Sequence, residues 1–325
     1  MCFVTKLEQL AHIFVTIHAL CNFAALKNHG MRRLLHFSAV VSALMACLDI
    51  AAFDFTGADA LFSKGEDYAG CASMLESMLT SVPDSHVKSE VLWRLSRVYL
   101  MIGQGRTSVE SKREAFGKGI AYAEDGKRAD PANYCNYMWH CANIGRDCQT
   151  RSIAEQARKV SVMTDDLTAI IEKLGRTDVA EAWQALGEIY INHPLKSNEA
   201  AINFGRKAVN CIPDGQPWIS TYCFLARALY DRNWSASKRK SSIDNNHDKF
   251  LRKGLGNIDK YSYFDGSLGS DYVPAWSDRP LGQMSDREEA MALFKYSESL
   301  YRNSPHTKSL SDQYDEFEQA KSNWK

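Results

Sequence analysis

No apolar run in these 325 residues reaches the roughly 20 that a spanning helix needs, so no segment reads as one. Proline (8) and glycine (19) are too scarce for a collagen-like or linker-rich chain. An excess of either charge is missing too. Lys+Arg 39 stand against Asp+Glu 39, which argues against a protein that coats nucleic acid. The phosphate-loop pattern G-x-x-x-x-G-K-[ST], the dinucleotide pattern G-x-G-x-x-G at a helix start, H-E-x-x-H and G-x-S-x-G are all absent. What is present is 45% hydrophobic and 24% charged residues, ordinary for a folded chain and too apolar for wholesale disorder.

Internal periodicity comes next, because a repeat decides the fold before any local feature does. The tetratricopeptide (TPR) pattern W-x2-L-G-x2-Y, then A-x3-F-x2-A-x4-P, works by close packing of two helices with a terminal Pro stop. Trp183-x2-Leu186-Gly187-x2-Tyr190 followed by Ala201-x3-Gly205-x2-Ala208-x4-Pro213 fits it, with extra residues in the loop His193–Ser197. A second unit reads Leu92-x2-Leu95-Ser96-x2-Tyr99, then Gly119-x3-Ala123-x2-Gly126-x4-Pro131, with a longer loop expected between its halves. Cys71-x3-Leu75-x2-Met78-x4-Pro83 supplies a half-unit before it. A third unit begins at Tyr137, with a long second helix over about Ser152 to Leu174. Another starts at Tyr222-x2-Leu225-Ala226 and runs into Lys249–Lys260, and a last half-unit holds Ala290-x3-Phe294-x2-Ser297. The order and period predict an all-α, TPR-like array of four to five degenerate helical hairpins, since fewer than three stacked units would leave a core half exposed.

Two polar stretches are expected to break the array as loops, Asp231–His247 and Asp265–Met284. The first carries Lys238-Arg239-Lys240, a surface patch or a contact for anionic headgroups or a partner. The second carries Tyr272 and Trp276, expected to meet a partner because Trp and Tyr add large, stiff contact area; the rival reading has Trp276 folding back to cap the last hairpin. On the first helices of the hairpins the register turns a mixed set toward the groove: Trp93, Arg97, Leu100, Met138, Gln184, Glu188, Ile191, Arg227 and Tyr230. It reads as a groove or channel for a partner segment or an apolar ligand, or as a face that a loop or neighbouring helix covers.

No catalytic residue is assigned, no cofactor is expected and the chain is read as non-enzymatic. His140, Cys141 and Cys148 lack the C-x2-4-C pairing of zinc sites, and Cys135, Cys141 and Cys148 read as helix-face packing. The acidic pairs Asp165-Asp166 and Glu288-Glu289 read as charge and capping features on solvated helix starts or faces. The six cysteines from Cys71 to Cys223 show no disulfide framework and are expected free and mostly buried.

Met31-Arg32-Arg33 followed by the apolar stretch Leu34–Ala46 and then Cys47 has the order of a secretion signal. Leu44-Met45-Ala46-Cys47 resembles the bacterial lipobox, which implies that Cys47 is acylated and becomes the mature N-terminus. An ordinary signal cut after Ala51 or Ala52, and a buried helix, are the competing readings. Residues 1–30 are expected to be an upstream start-site artefact, or else an amphipathic anchor, residues 31–46 a lipoprotein signal and residues 47–325 the helical domain. Removing 1–46 takes away Lys6, Lys27, Arg32, Arg33 and Glu8, which leaves a net charge of about −3.

The stretches EVLWRLSR (90–97), AYAEDGKRADP (121–131), AWQALGEIY (182–190) and EEAMALFKYSE (288–298) resemble the TPR domain of the regulator-of-microtubule-dynamics family. That resemblance implies the fold alone, because a microtubule role does not suit an exported lipoprotein. A lipobox followed by a short degenerate array also resembles, by organisation, the T component (TatT-like) of TPR-associated TRAP transporters. This implies a periplasmic lipoprotein, held by an N-terminal lipid, that meets the transporter's substrate-binding protein and carries a hydrophobic ligand, with a trimer as the implied assembly. An envelope assembly scaffold without a small-molecule ligand is the alternative.

Overall fold

The structure, a computed structural model, describes residues 53–82, 84–192, 197–213 and 215–324. The signal expected over 31–46 and its Cys47 lie outside the described residues.

Among the described residues four helical hairpins follow one another. They are α1 (Thr56–Lys64) with α2 (Tyr68–Leu79), α3 (Ser85–Gln104) with α4 (Val109–Ala129), α5 (Tyr134–Cys148) with α6 (Ile153–Thr168), and α7 (Ala180–Asn192) with α8 (Asn198–Asn210). A π-helical turn, Ala169–Lys173, prolongs α6. The fifth hairpin pairs α9 (Ile219–Arg232) with α13 (Asp286–Arg302) across an insertion that holds α10 (Ala236–Leu251), α11 (Asn257–Tyr261), α12 (Phe264–Leu268) and a 3₁₀ turn, Leu281–Gln283. A last helix, α14 (Lys308–Ser322), packs on α9 and α13 and turns a polar face outward, which is how a repeat array closes its open end. The expected all-α, TPR-like array is present.

Local chemistry sets the helix starts. Asp67, Asp84, Ser108, Asn133, Ser197, Ser235, Ser285 and Thr307 each accept a hydrogen bond from a backbone N–H in the first turn of the helix that follows. Such caps are worth about 1 kcal/mol each. Packing then follows the repeat pattern. Trp183 is fully buried and stacks on Phe204, with ring centroids 5.8 Å apart. Gly187 and Gly205 face the same Phe224 ring, and a Cβ at either would stand 2.8 Å from it. Those two glycines let α7, α8 and α9 meet at one aromatic. Between hairpins the seams are partly polar: Asn136 donates to Ser89 Oγ at 2.7 Å, and Asn143 donates to Ser96 Oγ at 3.0 Å. Tyr99 and Tyr122 both donate to Glu76 Oε1, at 2.8 and 3.0 Å, tying α3 and α4 to α2.

Several expectations are corrected. The longer loop of the second unit is helix instead: α3 and α4 are 20 and 21 residues long and only Gly105–Ser108 joins them. Asp231–His247 is not a loop. Ser235 caps α10, whose buried residues Arg239, Ile243, Asn246 and Phe250 recur at helical spacing. The low apolar content of α10 hid it, because its inner face buries an arginine and an asparagine as well as Ile243 and Phe250. Lys249–Lys260 is not the second helix of the unit that begins at Tyr222. The half-unit Ala290-x3-Phe294-x2-Ser297, on α13, is that helix.

The insertion is fixed by buried charge. Arg206 on α8 pairs with Asp265 on α12 and, at 2.5 Å, with Glu289 on α13. Arg239 on α10 reaches Glu289 at 2.5 Å and Asp286 at 3.2 Å, and Arg232 on α9 reaches Asp286 at 2.8 Å. Trp276 Nε1 donates to Glu289 Oε1 at 3.1 Å. Three guanidinium groups thus face three carboxylates, which removes the net charge that would make burial prohibitive. Burial alone would push the Glu289 carboxyl up, but Arg206 and Arg239 outweigh it and hold it at about 2. Glu288 keeps its expected capping role, in a reciprocal cap with Ser285, whereas Glu289 is buried in this network and not on a solvated face.

Candidate interaction groove

The first helices of the hairpins, α3, α5, α7 and α9, carry the nine residues expected to line the groove. The structure divides them into three groups.

At the N-terminal end, α1 lies against α3. Asp59 takes Arg97 at 2.7 Å and Arg94 at 3.1 Å, while Arg97 sits 3.7 Å from the Phe62 ring centre. Burial would raise the Asp59 carboxyl, yet the two arginines bring it below its ordinary value. Trp93 is half-buried, donates Nε1 to Glu90 at 3.0 Å and lies under Arg94 at 4.2 Å. Leu100 is buried, 7% exposed, and is not free to meet a ligand.

At the C-terminal end, α14 runs beside α9. Tyr230 stacks on Trp324 with centroids 4.7 Å apart and planes 9° from parallel. Arg227 faces Glu316 at 3.8 Å, and the backbone N–H of Ser220 donates to Gln313. Ile191 is partly buried against the same core. Tyr230 and Ile191 therefore serve packing, as the covering-helix reading had it.

The middle is different. Met138 is half-buried, and Glu181 and Glu188 are exposed two turns apart on α7. Gln184 between them accepts from Thr221 at 2.6 Å and donates to Glu188 at 2.9 Å, so both its amide atoms are fixed. Desolvation pushes the Glu181 carboxyl up and the Cys135 thiol up to about 11. Neither Glu181 nor Glu188 has a cation within ion-pair distance among the described residues. The central stretch of the face thus combines Met138 and two uncompensated carboxylates, with Trp93 at its N-terminal margin. Glu181 shares the helical register of Gln184 and Glu188 on α7, which is the signal that places it on this face.

The loop aromatics do not join this face. Trp276 is 7% exposed and belongs to the core with Leu225, Leu293 and Phe317, and Tyr272 packs toward Ile243, Leu281 and Met284. Both were expected to meet a partner. They instead anchor the insertion, Trp276 through its hydrogen bond to Glu289. A cleft of about 830 Å³ does open beside Trp276, bounded by Arg279, Arg287, Met291, Lys295 and Tyr296.

Polar groups that looked solvated are also buried elsewhere. His140 Nδ1 is 2.5 Å from Asp166 Oδ2, and Lys127 Nζ is 2.9 Å from both residues. This triad joins α4, α5 and α6 inside the third hairpin's seam, so Asp166 is a packing charge and not a solvated one. Cys71, Cys135, Cys141, Cys148, Cys211 and Cys223 are free thiols. Among the described residues no three His, Cys, Asp or Glu side chains stand together as metal ligands, and no helix is long and apolar enough to cross a membrane.

No curated protein matches the chain. Residues 54–188, which run from α1 into α7, are similar to the family described as regulator of microtubule dynamics protein 1-3.

Proposed function

We propose that this chain is a non-enzymatic helical-repeat protein whose concave face takes an extended or helical segment of a protein partner at Trp93, Met138, Gln184, Glu181 and Glu188. One observation carries the reading. Both ends of the face are covered by the chain's own α1 and α14, while the centre keeps two carboxylates without a cation beside apolar side chains. Carboxylates without a cation beside apolar side chains suit a partner segment that brings its own cation and an apolar contact.

The finer reading is that the protein is exported to the bacterial periplasm and held at a membrane by a lipid on Cys47. Its partner is then the substrate-binding component of a TRAP-type transporter. The order Met31–Cys47 followed by a short TPR-like array supports this. A hydrophobic small molecule as groove ligand has less support, since Leu100, Ile191 and Tyr230 are spent on internal packing. The scaffold alternative, without any small molecule, gains from the same fact. The microtubule role in the matching family's description is not carried over, because it does not suit an exported lipoprotein.

Titrating the purified protein with a TRAP substrate-binding protein by calorimetry tests the reading. Glu181→Lys with Glu188→Lys should weaken binding by about tenfold or more, at about 1.4 kcal/mol per tenfold. Binding untouched by that double change would remove the groove from the reading, and no binding at all would remove the TRAP partner. Cys47→Ser should release the protein from membranes, and mature protein that still contains intact peptides across 44–50 would refute the lipid anchor.

A further inference from the structure

The insertion presents one surface that packing does not explain. α10 ends at Leu251, and the chain turns through Arg252, Lys253 and Gly254 before Gly256 leads into α11. The turn is held on both sides. Phe250 packs against Tyr261 and Phe264, with centroids 5.8 and 6.4 Å apart. Across the turn, the backbone N–H of Ile258 donates to Glu172 Oε1 at 2.7 Å, and Asn257 donates to the Ile171 carbonyl at 3.4 Å. Gly254 has φ +85°, a conformation that costs little only without a Cβ. The tip of this turn is therefore held in place.

Its exposed side chains point one way chemically. Leu251 is 59% exposed although its neighbour Phe250 is buried. Residues 249–260 carry Lys249, Arg252, Lys253 and Lys260 against the single carboxylate of Asp259. None of the four cations has an ion-pair partner among the described residues, although Lys249 donates to Asn246 Oδ1 at 3.2 Å. Lys260 lies 4.7 Å from the Phe250 ring centre and Lys249 5.4 Å from that of Tyr263, so two of the cations are held over the aromatic base of the tip. Asp248 and Asp244 on α10 are the other nearby exposed acids. A lone exposed leucine is unremarkable in a soluble protein. An exposed leucine on a held turn, followed directly by the exposed Arg252 and Lys253 and flanked in sequence by Lys249 and Lys260, has the makeup of a surface that meets anionic lipid headgroups: the cations gain from the surface potential and the apolar side chain enters the headgroup boundary.

We propose that the tip Lys249–Lys260 docks on an anionic lipid bilayer, with Arg252 and Lys253 at the headgroups and Leu251 inserted between them. This places the membrane contact of the insertion at its far turn and not at Lys238-Arg239-Lys240, where Arg239 is buried in the ion network. It does not depend on acylation of Cys47. A single acyl chain gives only marginal, reversible attachment, so a cationic contact would be the second signal if the lipid is there.

The test uses the full chain carrying Cys47→Ser, so that no lipid anchor contributes, and measures co-sedimentation with vesicles. Phosphatidylcholine vesicles with 30 mol% phosphatidylglycerol, roughly the surface charge that gives such clusters a usable field, should bind the protein; pure phosphatidylcholine should not. Binding should fall as salt shortens the screening length from about 10 Å at 0.1 M to a few ångströms. Arg252→Ala with Lys253→Ala should lower the partition coefficient by about thirtyfold, at about fivefold per cation. Leu251→Ser should weaken it less, and all variants should keep the parent's melting curve because the changed groups are exposed. Lys238→Ala with Lys240→Ala is the matched control and should change binding little. Equal binding to both vesicle types, or an equal loss in the control pair, would overturn the proposal. So would binding that inorganic phosphate at millimolar concentration abolishes, since that would make the tip a site for a small anion.

Discussion

The two ends of the array differ in how much buried charge their packing has to reconcile. From α1 to α6 consecutive helices pack through short connections, with apolar contacts, neutral hydrogen bonds such as Asn136–Ser89 and Asn143–Ser96, and ion pairs between nearby helices, Asp59 with Arg97 and Lys127 with Asp166. From α8 onward the contacts that fix the insertion join residues far apart in the chain: Arg206 with Glu289 is 83 residues of separation, and Arg239 with Glu289 is 50. The N-terminal part is a repeat in which each unit needs only its neighbours. The C-terminal part has a repeat opened between its two helices and then sealed by charge. A helix-forming insertion can be accommodated there only if its polar inner face finds partners, and Arg206, Arg232, Asp286 and Glu289 provide them.

Glu289 is where the buried network is most vulnerable. Glu289→Ala would leave Arg206 and Arg239 buried without their shared carboxylate. Such a loss is expected to cost about 3–5 kcal/mol, read as a lower urea midpoint. A cost below 1 kcal/mol would mean that apolar packing alone holds the insertion. Trp276→Ala should cost about as much, because Trp truncation in a core typically costs about 3–5 kcal/mol and here also removes the hydrogen bond to Glu289. A spared melting curve would return Trp276 to the role of an exposed contact.

In the repeat part of the array, Gly187→Leu tests close helix approach, since even a Cβ meets Phe224 at 2.8 Å. Overpacking of this kind costs about 1–3 kcal/mol, and an unchanged melting temperature would show that α9 can yield. The pH dependence probes the buried network directly. The Glu289 carboxyl is depressed from the ordinary value of 4.5 to about 2. Its contribution is therefore fully present above the unfolded value and is lost as pH falls through the folded one. Stability should drop between about pH 4.5 and 2 in the parent and less steeply in Glu289→Gln; parallel curves would show that other carboxylates govern acid unfolding. The smallest effect belongs to Ser285→Ala, which removes the α13 cap at a cost of about 1 kcal/mol. It should leave the position of the insertion unchanged in near-ultraviolet circular dichroism.

Much of the array was legible in the chain because its signals are local. Trp183-x2-Leu186-Gly187-x2-Tyr190 with Ala201, Gly205 and Ala208 specifies how two adjacent helices meet, and the structure buries those residues accordingly. The long second helix from about Ser152 was readable for the same reason, as were the free cysteines. The groove was legible as a list and only partly as a site. Leu100, Ile191 and Tyr230 occupy the expected positions, but whether such positions stay open depends on α1 and α14.

The chain by itself therefore determined the helices of the regular repeats and their pairing wherever the partner lies within about one repeat, whereas α10 escaped it. Tertiary structure alone decided which polar residues are core and which apolar ones are spent. Arg239 looks like a loop cation beside Lys238 and Lys240, Glu289 like a second solvated carboxylate beside Glu288, and Trp276 like an exposed loop aromatic. Each is buried because of a partner 13 to 83 residues away. A charge is cheap to bury only when an opposite charge is brought to it, and that meeting is arranged by the fold and not by either residue's neighbours in sequence.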